Sequence, residues 1–238
     1  MIKNKIFKSK LDKGILFLAI ATNMLFIASC SSSPTPHYYS LKPIVNANRS
    51  TNLRMIEVLP VTLPDRLNRV PIVNFETNGQ SKILDNDRWT STLGSELTNS
   101  LSAGLQDSLG AIDRYNSGLN GDQVGYRIAT DFSHFDIIQP NDSTSNQSKV
   151  NISVSWSIKK IDPSSNTVKT INNVQTLSKQ QISCRMEFSL PIKNQDSRMI
   201  ASVKTLNQGL SQVIQGISVS LISLEKGKIT PIPQGVCS

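Results

Sequence analysis

Val150-Asn151-Ile152-Ser153-Val154-Ser155-Trp156-Ser157-Ile158 alternates apolar and polar side chains without a break. Successive side chains of a strand point to opposite faces, so this stretch predicts a strand buried on one side and wet on the other. A parallel sheet covered on both faces reads instead as a continuous apolar run, so the alternation favours an antiparallel sheet with a solvated face. The same period extends outward. Tyr126, Ile128, Thr130 and Phe132 alternate upstream, and Ile182, Cys184, Met186, Phe188 and Leu190 alternate downstream. Met55-Ile56-Glu57-Val58-Leu59 is a further strand ended by Pro60, and residues 70–75 and 81–84 read as short strands around the Asn78-Gly79 turn. Asp162-Pro163-Ser164-Ser165-Asn166 turns the chain toward another strand near residues 167–177.

Two segments carry a helical period. Trp89, Leu93, Leu97, Leu101, Leu105 and Leu109 recur every four residues, with Ser, Thr and Asn opposite and Gly110 as a stop. This predicts a helix opening at Trp89 and packed on the sheet by its leucine row, with Asp85 and Asp87 as capping or first-turn charges. Met199, Val203, Leu206, Leu210, Val213, Ile217, Leu221 and Leu224 form a heptad-like seam. That seam faces either the sheet or another subunit. Gly209 and Gly216 interrupt it, each costing about 1 kcal/mol relative to Ala or marking a close backbone approach. Pro231 and Pro233 exclude helix from the tail. The expected fold is an α/β sandwich of the α+β type, a mainly antiparallel mixed sheet with two long helices on one face.

The N-terminus sets the address. Lys3, Lys5, Lys8, Lys10 and Lys13 precede an apolar run over residues 15–28, which closes on Ile27-Ala28-Ser29-Cys30. A basic head, an apolar stretch and small residues before a cut describe a secretory signal peptide. The run is shorter than the roughly 20 residues of a membrane span. An aliphatic residue, two small ones and Cys make a bacterial lipobox, in which Cys30 receives the lipid and the chain is cut before it. Each buried CH₂ of the acyl chains contributes about 0.8 kcal/mol, so several chains anchor the protein durably. Ser31 stands where a retention Asp would, which favours the outer membrane, with the domain facing the periplasm. The expected order is a signal peptide over 1–29, the lipidated Cys and a Ser/Pro tether over 30–37, a domain over 38–226, and a tail over 227–238.

The formal charge of +8 overstates the basicity of the domain, because five lysines and Asp12 fall within the leader. Aromatic content is low and no Lys/Arg cluster interleaves with aromatics, so nucleic-acid binding has little support. Catalytic chemistry is also missing. His37 and His134 are too few and too far apart for a metal site, and there is no Gly-x-Ser-x-Gly elbow or P-loop. Asp131 and Asp136, five residues apart, fall on opposite faces of an unbroken strand. No cofactor is implied. With Cys30 lipidated, two thiols remain in an oxidising compartment. Cys184 and Cys237 either pair, closing a loop worth about 4 kcal/mol by chain entropy, or stay apart as a small buried hydrophobe and a free terminus.

The stretch Ile56-x-Val58-x-Pro60-Val61-x-Leu63-Pro64-x-x-Leu67-x-Arg69 resembles the signature of the PqiC/YmbA family of ABC-type transport auxiliary lipoproteins. Tyr38-Tyr39-x-Leu41, Trp89 before a Leu-rich helix, Trp156 late in an alternating strand and a long last helix follow in the family's order. After Arg69 the family's Pro-Gln pair is replaced by Val70-Pro71, and residues 172–193 and the tail fit the pattern poorly. The resemblance implies a non-catalytic accessory role in lipid movement across the envelope. Its implied partners are a periplasmic protein with mammalian-cell-entry (MCE) domains, the inner-membrane partner of that protein, the membrane through the lipid anchor, and further copies of the chain. Residues 60–71 are the expected interface loop, with Asp65, Arg66 and Arg69 for polar specificity, unless that crossover is packed for stability alone. The alternative role is a structural envelope lipoprotein that binds peptidoglycan or an outer-membrane complex without carrying lipid.

Overall fold

The computed structural model describes residues 34–47, 54–117, 124–140, 147–161, 180–193, 197–228 and 230–238. The expected signal peptide, the expected lipobox with Cys30, and the strand expected near 167–177 lie outside the described residues. The fold below belongs to the unit Pro36–Ser238.

The stretch 150–158 lies in strand β7 (Lys149–Ile161), between β6 (Gly125–Gln139) and β8 (Gln181–Pro191), antiparallel to both. Val150, Ile152, Val154, Trp156 and Ile158 are all buried. β9 (Gly235–Cys237) adds antiparallel to β8. On the other side of β6 lie β2 (Arg54–Val58) and β3 (Pro71–Glu76), both parallel to it. β4 (Ser81–Trp89) returns antiparallel to β3, and β1 (His37–Tyr39) runs parallel to β4. β5 (Ala111–Asp113) pairs with β2. Among the described residues this is one nine-stranded mixed sheet. Its long pairings are antiparallel, and its parallel ones span three or four residues.

Helices α1 (Leu93–Leu109) and α3 (Arg198–Lys226) cover one face, with a four-residue α2 (Arg114–Ser117) beside β2. The leucine row from Leu93 to Leu109 is buried throughout, and α1 ends on Gly110 in the left-handed conformation (φ 59°). The seam of α3 faces the chain's own sheet and α1, leaving Val203, Leu206, Leu210, Val213, Ile217, Leu221 and Leu224 buried. Of the two readings of that seam, packing on the sheet holds.

Two expectations need correction. Trp89 does not open the helix: it ends β4, which runs five residues beyond the predicted 81–84 strand, and α1 begins at Leu93. Asp85 and Asp87 therefore lie on a strand and cap nothing. Asp87 instead accepts the Tyr39 hydroxyl at 3.0 Å. The second correction concerns β6, which carries a bulge between Phe132 and His134. One extra residue reverses the alternation. Tyr126, Ile128, Thr130 and Phe132 face the helices before it, and Phe135 and Ile137 after it. Asp131 and Asp136 consequently share the open face rather than opposing ones.

The glycines of α3 mark close approach. A Cβ on Gly209 would lie 2.2 Å from Ile152 Cδ1, and one on Gly216 would lie 2.9 Å from Met186 Cε. A Gly→Ala change inside a helix ordinarily adds about 1 kcal/mol of stability. For Gly209→Ala the sign reverses to a loss of about 1–3 kcal/mol from overpacking, read from urea unfolding midpoints. An increase in stability would show that the α3–β7 contact is looser than described.

Candidate functional site

β2 and β3 both pair with β6 on one edge, β2 at residues 125–128 and β3 at 137–139. Between them the edge of β6 lacks a strand partner, and the crossover 60–71 fills the gap. Leu59 N–H donates to Ile128 O (2.9 Å), Thr62 N–H to Thr130 O (3.0 Å), and Phe132 N–H to Thr62 O (3.0 Å). Toward the helices, Leu67 is 3% exposed and Val61 N–H donates to Thr98 Oγ1 at 3.0 Å.

The same crossover completes the start of α1. The N-cap Thr92 makes no side-chain capping bond. Leu93 N–H instead donates to Arg69 O (3.3 Å), and Gly94 N–H donates to Asn68 Oδ1 (3.2 Å). These satisfy first-turn donors that a helix cannot satisfy itself. Glu96 is buried in that turn, accepting from Ser91 Oγ (2.9 Å) and Leu41 N–H (3.1 Å). It draws Tyr39-x-Leu41 onto the helix.

On the open face, Arg66 reaches Asp136. Its Nη1 donates to Asp136 Oδ1 at 3.2 Å, its Nη2 to Ser133 O at 3.0 Å, and the guanidinium lies 4.9 Å from the Phe75 ring centre. His134 Nδ1 lies 2.6 Å from Asp136 Oδ2, so the Nδ1–H donates to the carboxylate. The Asp136 side chain is 7% exposed and that of Arg66 40%. Of the three expected interface residues, Asp65 is exposed, Arg66 is held in this cluster, and Arg69 is half-buried with a buried Nε. Sequence reasoning set aside His134 and Asp136 and missed Asn68 and Glu96, whose partners lie as far as 70 residues away. Thr92 and Glu96 sit near a helix start, but neither carries a local signal for a bond made in trans.

Cys184 and Cys237 face each other in register across β8 and β9. Their neighbours Ser183 and Ser238 exchange both backbone hydrogen bonds, at 3.2 and 2.8 Å. The next pair is thus a non-hydrogen-bonded one, where side chains come closest. The Cα atoms are 4.1 Å apart and the two sulfurs are joined.

The family model of the ABC-type transport auxiliary lipoprotein component matches residues 39–218, from Tyr39 on β1 into the last helix. The chain belongs to that family. No curated protein matches the chain. Two solved structures share the fold of this auxiliary lipoprotein. An uncharacterised protein has a TM-score of 0.56 at 23% identity, covering 79% of this chain and 99% of its own. A protein of Xanthomonas campestris has a TM-score of 0.56 at 15% identity, covering 80% and 98%.

Two outcomes test this geometry. Arg66→Ala leaves Asp136 buried without its cation and costs about 2 kcal/mol in chemical unfolding, discounted for the exposure of Arg66. Replacing Asp136 as well with Ala restores part of the loss, and strictly additive effects would sink the pairing. The Tyr39 hydroxyl is pushed up to about 12 by burial and by its bond to Asp87, and burial also raises Tyr126. Folding therefore retains protons that the unfolded chain releases near its ordinary value of about 10. Stability falls as pH rises from 10 toward 12, and Tyr39→Phe flattens part of that fall in thermal melts.

Proposed function

We propose that this auxiliary lipoprotein is a non-catalytic docking subunit, anchored through Cys30 to the periplasmic face of the outer membrane. It receives the end of an MCE-domain protein of an ABC-type intermembrane lipid transport system. The observation that carries the reading is the crossover 60–71. It is held by two backbone bonds from Thr62 to β6 and two bonds at the start of α1, yet presents Asp65 to solvent. A segment already fixed loses little conformational freedom on binding, so more of its contact energy appears as affinity. The family match supports transport, and the lipobox ending at Cys30 with Ser31 after it supports the address. Anchoring raises the local concentration of this surface near the membrane, so modest intrinsic affinity suffices.

The test is a crosslinking pull-down of the lipidated chain from intact envelopes, with captured proteins identified by mass spectrometry. An MCE-domain protein is expected. Asp65→Lys, an exposed change within about 0.5 kcal/mol of neutral for stability, should reduce its capture. Recovery of peptidoglycan fragments or outer-membrane barrels alone overturns the reading in favour of a structural envelope role.

A further inference from the structure

A pocket of about 280 Å³ opens between the segment 44–46, the middle of α3 and the chain leading into β9. Its apolar walls are Ile44, Val45, Met186 and Pro233, with Gly216 at its floor. The polar lining is neutral, chiefly Gln212, Gln215 and Gln234, and no lining residue is charged. A carboxylate or phosphate would find no counter-ion there, so the part of a ligand inside must be uncharged. The volume falls just below the about 300–1,000 Å³ of pockets for whole small molecules, which suits one hydrocarbon chain.

The walls are fixed before anything binds. Ile44 N–H donates to Ser211 Oγ (3.1 Å) and Lys42 N–H to Asn207 Oδ1 (2.8 Å), pinning the 44–46 segment along α3. On the opposite wall Ile232 is buried, Glu187 N–H donates to Gln234 O (3.4 Å), and Cys237 is bonded to Cys184. Gly216 leaves room where a Cβ would press on Met186 and Trp156. At the lip, Ile44 is 88% exposed. That side chain stays in water at a cost that a hydrocarbon occupant would remove.

We propose that this pocket binds a single acyl chain, with the polar head left outside, and that the Cys184–Cys237 bond holds its outer wall. An acyl chain is favoured over an apolar peptide because the side chains of the lining offer only a few neutral amides and one hydroxyl for peptide polar groups, and no charge. This rests on the reading above that the chain is lipid-anchored and serves lipid movement, which places the pocket near a supply of acyl chains.

The test labels cells that express the full chain with a fatty acid carrying a diazirine on its tail, followed by irradiation of intact envelopes. Adducts are expected on residues 44–46, 211–216 and 233–234. An adduct bearing a phospholipid identifies a membrane lipid, whereas one linked to the Cys30 lipopeptide identifies the chain's own anchor. Gln215→Trp, at an exposed position of the mouth, should lower the yield about tenfold with melting temperature unchanged. Cys237→Ser, which frees the wall, should lower it too. A photoreactive residue at Gln212 gives a second arm, in which lipid adducts are expected. Labelling spread evenly onto exposed Ile83 and Ile200, labelling indifferent to Gln215→Trp, or a partner peptide crosslinked at Gln212 overturns the proposal. An unlabelled pocket with intact capture of an MCE-domain protein removes the pocket alone, and labelling without capture removes the transport reading alone.

Discussion

One edge of β6 governs this molecule. β7 pairs with nearly all of its length, but the opposite edge is shared by β2 and β3, which leave a stretch between them. Buried backbone groups left without partners are costly, so something irregular had to bond that gap. The crossover does so with Leu59 and Thr62, and prolines occupy 60, 64 and 71, where no donor to β6 is needed. Immediately past the contact of Thr62 with Asp131, β6 bulges. The bulge re-registers the strand for β3 and turns Asp136 onto the open face, where Arg66 meets it. The signature, the bulge, the ion pair and the cap of α1 are therefore one connected device. Disturbing any member reaches the others through the backbone of 60–71 and the side-chain bonds of Arg66 and Asn68.

This explains which parts were legible in the sequence. Periods of two and of three to four are local properties, and β7, β8, the leucine row and the seam of α3 followed from them directly. Trp89 misled because it stands four residues before Leu93 and points into the same core, although Thr90, Ser91 and Thr92 separate strand from helix. A bulge has no sequence signature here, so the facing of Asp136 could not be read. The bonds that define the candidate site join residues distant in sequence, such as Arg66 with Asp136 and Asn68 with Gly94. Cys184 and Cys237 were visible as a pair only in number. Their meeting depends on the register of a three-residue strand beyond two prolines, which periodicity does not encode.

The seam of α3 is the one surface that the sequence offered to a second copy of the chain. A heptad-like row is compatible with a partner helix or with a sheet, and composition does not choose between them. Gly209 and Gly216 do, because they let α3 approach β7 and β8 closely enough for Ile152 and Met186 to fill the space a side chain would take. The seam is thus consumed within the chain and leaves no apolar row for a second copy.

The two ends of the sheet path show how the fold guards its open edges. An open edge is a template for another strand. Here each end carries a three-residue strand, β1 or β9, and each is preceded by prolines, 34 and 36 or 231 and 233. β1 is held by the Tyr39–Asp87 bond and by Glu96 pulling on Leu41. β9 is Gly235-Val236-Cys237, without a hydroxyl or carboxylate to anchor it, and three residues of pairing are too few to be stable alone. The covalent link at Cys184 stands in that role. It keeps Ser238 and Gln234 on the outward N–H groups of Ser183 and Glu187, and with them the turn at Pro233 that walls the apolar pocket. Closing the sheet edge and shaping the pocket are in this way consequences of a single crosslink.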